Sequence, residues 1–311
     1  MKEELRVIYG LENLPPSGRK RVVTIGFFDG VHKGHQAVIK EAVKEAGKQK
    51  TESAVLTFEP HPLEVLKPGS HPPILTSTSL KAKLIEALGI DLFLVVEFTK
   101  ELAALSPKQF IDHILLGDLR ATTIVVGEDF KFGREKEGDV SFLKRYSKEK
   151  NLRIIAVPSL RIQGKAVSST LLRELLARGD LRAVAEIQGR YPRITAKVVR
   201  GRGEGTSLGF STANLEITEK SSLPANGVYA GYIRFNGKEW ACAIYIGTSP
   251  TFDLGETRLE VHIFNFEGDL YDRQVDVEFK AKIRNEKKFP NRQALAAQIK
   301  KDIAEAKSIL T

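Results

Sequence analysis

Two of the six histidines in this 311-residue chain stand three apart, with a glycine between them, in TIGFFDGVHKGHQAV (residues 24–38). His32 and His35 follow a short apolar run, and Gly26, Gly30, Gly34 and Asp29 lie among them. Three readings are open. Two histidines at a strand-to-helix turn can be plain surface residues. Imidazoles at i and i+3 can share a helix face and ligate a metal, although no cysteine cluster or HExxH pattern supplies further ligands. The third reading is phosphate chemistry. Gly26 would end the strand with no side chain in the way, and Gly30 and Gly34 would let backbone N–H groups approach an anion. A helix starting near residues 34–36 would aim its positive end at the same place. Imidazoles there can donate hydrogen bonds to phosphate oxygens and steady the charge that builds as an anhydride breaks, without either being a nucleophile.

The elements that must position this stretch are legible on either side of it. VVTIGF (22–27), AVLTF (54–58), LFLVVEF (92–98), TTIVVG (122–127) and IIAV (154–157) read as buried strands. Helical patterns fall near 36–48, 79–89, 107–116 and 139–149, the third opened by Ser106-Pro107 as N-cap and first helical residue. This alternation predicts a parallel sheet with helices on both faces and ligands at the carboxyl ends of the strands. From Ile194 on the pattern changes. ITAKVV, GVYAGYI, KEWACAIYIG, RLEVHIF and QVDVEF include several alternating segments, and Asn236-Gly237 marks a hairpin. A small antiparallel barrel or sandwich is expected. A last helix follows, capped by Asn291, with Leu295, Ile299, Ile303, Ala306 and Leu310 as its apolar stripe. The boundary is placed near 186–193, giving domains 1–186 and 187–311.

Composition narrows the class. Hydrophobic residues make up 42% and charged residues 28%, as in ordinary globular proteins. No apolar run reaches the length of a bilayer span, and MKEELRVIYG lacks the apolar region of a secretory signal. The single cysteine, Cys242, permits no internal disulfide and fits a reducing compartment, so a cytoplasmic location is expected. The net charge of +9 is spread evenly along the chain, without a basic tail. That argues against a nucleic-acid module and leaves phosphorylated small molecules, or simple solubility charge, as its meaning.

FDGVHKGH (28–35) resembles the HxGH signature of the nucleotidylyltransferase superfamily. TFEPHP (57–62), VVGEDFKFG (125–133) and VSSTLLR (167–173) narrow the resemblance to the bacterial bifunctional riboflavin kinase/FAD synthetase family. LGFSTANL (208–215), GVYA (227–230), IGTSPTF (246–252), LEVHIFNFEGDLY (259–271) and IRNEKKF (283–289) extend it, in order, over nearly the whole chain. The implied fold is a Rossmann-like adenylyltransferase domain followed by an antiparallel β-barrel kinase domain with a C-terminal helix. The implied activities are phosphorylation of riboflavin to FMN and adenylylation of FMN to FAD, with MgATP in both steps and pyrophosphate released in the second.

Residue by residue, the resemblance assigns His32 and His35 to the ATP phosphates, with Gly26, Phe28, Asp29 and Gly34 shaping the turn. Asp29 can equally close a turn on its own backbone. Ser169, Thr170 and Arg173 would form a second phosphate clamp, or Ser168-Ser169-Thr170 would simply cap the following helix. Relatives carry a basic residue where Ala166 stands, and Lys165 is its nearest substitute. Pro60, His61, Pro62 and Asp129 would lie on the flavin or adenine side, and Phe130 and Phe132 read as core. In the second half, Gly201, Gly205 and Gly209 would wrap phosphates, although the run is not GxxxxGK[ST] and also reads as a plain loop. Thr212 and Asn214 would hold Mg²⁺ by neutral oxygens. Glu260 would be the catalytic base and Arg284 would sit over the substrates. Thr206, Ser211, Tyr245, Asn265 and Asp272 stand where relatives carry Arg, Pro, Asn, Asp and Gly, which puts kinase rate and flavin fit in question. Three rivals remain open: an enzyme active only in adenylylation, a flavin-responsive regulatory protein, and a nucleotidylyltransferase for another phosphate. The partners expected are small molecules, not nucleic acid or membrane, and an oligomer is left open.

Overall fold

The computed structural model describes residues 4–16, 18–200, 210–217, 220–248 and 257–311. By compactness the chain divides into two units. Met1–Pro72 with Thr78–Ser168 form the first, and Pro73–Ser77 with Ser169–Thr311 form the second.

The first unit is built on six parallel strands. They are β1 (Arg6–Tyr9), β2 (Arg21–Ile25), β3 (Glu52–Glu59), β4 (Leu92–Glu97), β5 (Ala121–Gly127) and β6 (Arg153–Val157). Their spatial order is β1-β4-β3-β2-β5-β6. The five expected strands are the apolar runs quoted above, and β-branched residues in them fill the interior: Val22, Val23, Val55, Ile124 and Val125 have no exposed surface. Strand β1 was not expected. It is four residues long and half-buried, and it reads as a strand only because β4 offers it a pairing edge. The chain passes outward from β2 through β3 to β4, then returns to the other side of β2 to make β5. The order therefore reverses between β2 and β5, and the carboxyl ends of strands at such a switch point are where ligands of such sheets bind.

Helix α1 (Lys33–Gln49) follows β2, the short α2 (Pro62–Leu66) follows β3, and α3 (Thr78–Glu86) precedes β4. The helix expected over 107–116 begins as foreseen, with Ser106 and Gln109 forming a reciprocal capping box around Pro107. From Phe110 to Asp118 it widens into a π-helix. The wider turn aligns residues four to five apart, so Phe110, Ile114, Leu115 and Leu119 all reach the core. Helix α4 (Val140–Ser147) is capped by Asp139.

The second unit is a closed antiparallel barrel of six strands. They are β7 (Arg193–Val199), β8 (Ala213–Glu216), β9 (Gly227–Phe235), β10 (Lys238–Thr248), β11 (Thr257–Ile263) and β12 (Gln274–Asn285), in the order β7-β8-β11-β10-β9-β12. The alternation in ITAKVV is the barrel's inside and outside. Ile194, Ala196 and Val198 are buried, and the residues between them are partly exposed. The hairpin from β9 to β10 turns at Asn236 and Gly237, both at positive φ (48° and 71°), the conformation that this residue pair favours. Helices α5 (Ser169–Arg178) and α6 (Leu181–Gln188) pack together, and α6 contacts β12. Helix α7 (Arg292–Leu310), capped by Asn291, closes the unit. Its Ile303, Ala306 and Leu310 pack on Ala230, Ala243 and Phe264 of the barrel wall. Among the described residues no helix is long and apolar enough to cross a membrane.

Candidate active sites

In the first unit, the predicted residues gather on loops leaving the carboxyl ends of β2, β3 and β5. The chain leaves β2 at Gly26, where an added Cβ would lie 3.1 Å from the Phe28 ring. A side chain there would require the Phe28 ring, which is buried with its backbone held at φ 50°, to give way by a few tenths of an ångström. Asp29 and His32 are also buried, with 3% and 5% of their surface exposed. His32 is the N-cap of α1, and its Nδ1 accepts the backbone N–H of His35 at 3.2 Å. That bond needs a lone pair on Nδ1, so the neutral ring carries its proton on Nε2 and remains a donor there. The His35 ring stacks on that of His32, with centroids 3.6 Å apart and planes 19° apart, and meets Phe28 edge-on. The Nδ1 atom of His35 is buried without a hydrogen-bond partner.

The spacing of the two histidines has a local cause. A Cβ on Gly34 would come within 3.1 Å of the His32 Nδ1 atom. The glycine makes room for an imidazole that caps its own helix, a reason that backbone approach to an anion does not cover. Burial, then the neighbouring His32, then Lys81 hold the His35 pKa well below 6.5. At neutral pH this imidazole is therefore uncharged and ready to take a proton when negative charge arrives.

Lys81 is the residue that the sequence reading missed. It lies on α3 with 1% of its surface exposed, and its ammonium sits 4.3 Å from the centroid of the Phe27 ring. In the sequence it is an ordinary lysine on an amphipathic helix. Only its near-complete burial in the neighbourhood of the histidines marks it.

After β3, His61 caps α2 by accepting the Leu63 N–H at 3.0 Å, with Pro62 as the first helical residue. Its ring meets Phe27 edge-on at 4.4 Å and lies 6.3 Å from the ring of His71. Pro60 follows Glu59 through a cis peptide. Asp129 is exposed just beyond β5. Phe132 enters the core beside Phe110 and Phe142, as expected, and Phe130 stacks on it.

In the second unit, Ser169 and Thr170 open α5. Thr170 is exposed, and the Arg173 Nε donates to the Pro73 carbonyl at 2.7 Å. Strand register gathers the barrel's candidates. Asn214 on β8 lies directly opposite Glu260 on β11, which lies opposite Tyr245 on β10. Directly opposed residues share a face, so an amide, a carboxylate and a phenol line one strip of the barrel. The Tyr245 hydroxyl donates to Glu286 at 2.7 Å. Burial, then the Glu286 carboxylate, then Glu260 push its pKa up, so the phenol stays protonated. Val228 and Arg284 continue the row across β9 and β12. Arg284 is gripped by Asp302 of α7, Nη2 to Oδ2 at 2.7 Å and Nε to Oδ1 at 2.9 Å.

Thr212 and Ser211 line a cavity of about 1100 Å³, together with His262, Asn265 and Lys307. His262 Nδ1 lies 2.8 Å from the Ser211 carbonyl. Asn265 and Asp272 occupy positive-φ turns (53° and 62°), and Asp272 pairs with Lys197 at 2.8 Å. Gly201, Gly205, Thr206 and Gly209 lie outside the described residues. No group of three or more His, Cys, Asp or Glu among the described residues could cage a metal. Thr212, Asn214 and Glu260 offer oxygens only. That set fits a hard cation such as Mg²⁺, which is held largely by phosphates and water.

Comparison with known proteins agrees with both units. The sequence model of the FAD synthetase family matches residues 14–171, and that of riboflavin kinase matches residues 188–310. The chain is 35% identical, over 98% of its own length and 98% of the other, to a protein of Pseudomonas fluorescens named bifunctional riboflavin kinase/FMN adenylyltransferase. A protein of the same name from Escherichia coli strain K12 is 35% identical over 96% of each chain. A crystal structure from Streptococcus pneumoniae, named a macrolide-efflux protein, superposes with a TM-score of 0.87 at 28% identity, covering 98% of this chain and 99% of that one. The chain belongs to the bifunctional riboflavin kinase/FMN adenylyltransferase family.

Proposed function

We propose that this protein phosphorylates riboflavin to FMN and adenylylates FMN to FAD, with ATP as donor in both steps. Family membership along the whole length supports both activities. The observation that carries the reading is that each unit keeps its own reactive set: the stacked imidazoles of His32 and His35 in one, and the opposed Asn214 and Glu260 in the other.

In adenylylation, a phosphate oxygen of FMN attacks the α-phosphorus of ATP. A new P–O bond forms, the α–β anhydride breaks, and pyrophosphate leaves. His32, with Nε2–H as donor, and His35, which takes up a proton as negative charge approaches, stabilise the oxygens on which charge accumulates. The buried ammonium of Lys81 adds a fixed positive charge to the same field. Gly26, Phe28, Asp29 and Gly34 hold the loop. Ser169, Thr170 and Arg173 are the further donors assigned to the phosphates. Pro60, His61, Pro62 and Asp129 are assigned to the rings.

In the kinase step, the 5′-hydroxyl of riboflavin attacks the γ-phosphorus of ATP and ADP leaves. Glu260 accepts the hydroxyl proton as the new bond forms. Thr212 and Asn214 would hold Mg²⁺, which neutralises phosphate charge when bound. Arg284, fixed by Asp302, is assigned to the flavin side. We assign adenylylation to residues 1–186 and phosphorylation to residues 187–311. The enzyme is placed in the cytoplasm with small-molecule substrates and no nucleic-acid or membrane partner. Its lone cysteine is buried and unpaired, in keeping with a reducing compartment.

The test is to incubate the purified chain with riboflavin and MgATP and separate the flavins. FMN and FAD together support the proposal. FAD from supplied FMN but none from riboflavin means that only adenylylation survives, and no new flavin from either substrate means a binding protein. His35→Ala should abolish FAD while FMN continues to form.

A further inference from the structure

The amino-terminal ends of the sheet's strands carry a second concentration of charge. Arg21 opens β2 directly opposite Glu52, which opens β3. Both side chains are buried, 1% and 4% exposed, and Arg21 Nε lies 2.5 Å from Glu52 Oε2. Arg6 bonds the other oxygen of Glu52, and Arg19 lies 3.6 Å from that same oxygen. One carboxylate thus faces three guanidiniums. Burial first, and then the fields of Arg6, Arg19 and Arg120, hold the Arg21 pKa below its ordinary value.

Beside this group lies a cavity of about 390 Å³, lined by Arg19, Lys20, Lys50, Thr51, Glu52 and Asp91. Asp91 is already engaged, accepting from the Ser53 N–H at 2.8 Å and the Ser53 hydroxyl at 2.6 Å. Two buried donors of the cluster have no hydrogen-bond partner: Arg21 Nη2 and Thr51 Oγ1. Charge placed for solubility spreads over convex surface. Here Arg19, Lys20 and Lys50 line a concavity with Glu52 and Asp91, and Arg6, Arg21 and Arg120 lie beside it, so six cations are only partly offset by two carboxylates.

We infer that this cavity binds a small polyphosphate anion at the strand ends opposite the paired imidazoles. Guanidiniums present forked donors that match phosphate oxygens two at a time. A single negative charge would leave most of the surplus standing, whereas a di- or triphosphate neutralises it. The volume is that of a small-molecule pocket. The span of β2 from Arg21 to Ile25, about 13 Å of strand, separates it from the histidines, so it is not part of the adenylylation site.

The test uses the full-length chain and radiolabelled inorganic pyrophosphate in equilibrium dialysis. The comparison is an Arg19→Ser/Lys50→Ser double variant, since both side chains are exposed and neither belongs to the catalytic set. Arg21 is left intact because its removal would test folding. Wild type is expected to bind one more pyrophosphate than the variant, or to bind one of its equivalents about tenfold more tightly. Thr51→Val should weaken the same class of site, and FAD formation from FMN should be unchanged in both variants. Displacement of that pyrophosphate by ADP identifies a nucleotide as the ligand, and its persistence identifies an inorganic anion. Identical stoichiometry and affinity in wild type and the double variant would overturn the inference.

Discussion

His32 caps α1 with its own side chain, and the ring of His35 stacks on it 3.6 Å away. The capping bond spends one nitrogen of His32, and the stack leaves His35 in poor contact with water. Burial, then the neighbouring His32, then Lys81 hold the His35 pKa down, so His35 is uncharged at neutral pH until a polyanion enters. The sign of the pH dependence follows. The folded-state pKa of His35 is depressed below 6.5, so the unfolded chain binds more protons in the window just under that value. The stability that His35 contributes is full above about pH 6.5 and is lost as the pH falls through that window. Urea unfolding at pH 7.5 and pH 5.5 should show this loss, and His35→Gln should reduce it. ATP binding at pH 7 should carry net proton uptake in wild type. Calorimetry in buffers of different ionisation enthalpy would read it, and zero uptake would contradict this electrostatic picture.

Lys81 adds to burial and His32 in holding the His35 pKa down. Replacing it with methionine removes a buried ammonium at little change in side-chain length. The pKa of His35 should rise, because Lys81 is one of the groups that lower it. The rate of FAD formation should fall by about 10²-fold, the scale of a lost charge-stabilising donor, with FMN formation unchanged. Imidazole NMR titration and separate assays of the two steps would check both halves. An unmoved His35 pKa counts against the assignment.

Glu260 faces Asn214 on one side and Tyr245 on the other. Glu260→Gln keeps the shape and removes the base. FMN formation should drop by about 10²- to 10⁴-fold, the range of general-base contributions, and FAD formation from FMN should persist. Single-turnover assays of each step would decide it. A loss of both activities together would point to barrel misfolding instead.

Asp302 is 4% exposed on α7 and accepts three hydrogen bonds from Arg284 and one from Gln298. Asp302→Ala leaves a guanidinium that is still partly open to water, so the full penalty of an orphaned buried charge does not apply. A loss of about 2 kcal/mol is expected, the scale of a hydrogen bond to a charged group. Urea unfolding would measure it. If Arg284 serves the flavin, KM for riboflavin should rise with little change in kcat.

The sequence alone determined a parallel sheet with helices, followed by an antiparallel β unit with a closing helix. Apolar β-branched runs alternating with helical patterns can only bury their surface as a layered parallel sheet, and the inside-outside alternation after Ile194 requires an antiparallel one. Local signals also survived: the cap at Ser106, the hairpin at Asn236-Gly237 and the cap at Asn291 depend on neighbours a few residues away. Tertiary structure decided the rest. Lys81, Asp302 and Arg21 are ordinary charged residues by local pattern, and their roles arise from burial against strands far away in the chain. The cap made by His32 hides the purpose of Gly34, since the reason for that glycine is a ring lying across it in space. Glu260, Asn214 and Tyr245 lie on three different strands, and only barrel register, a long-range property, sets them side by side.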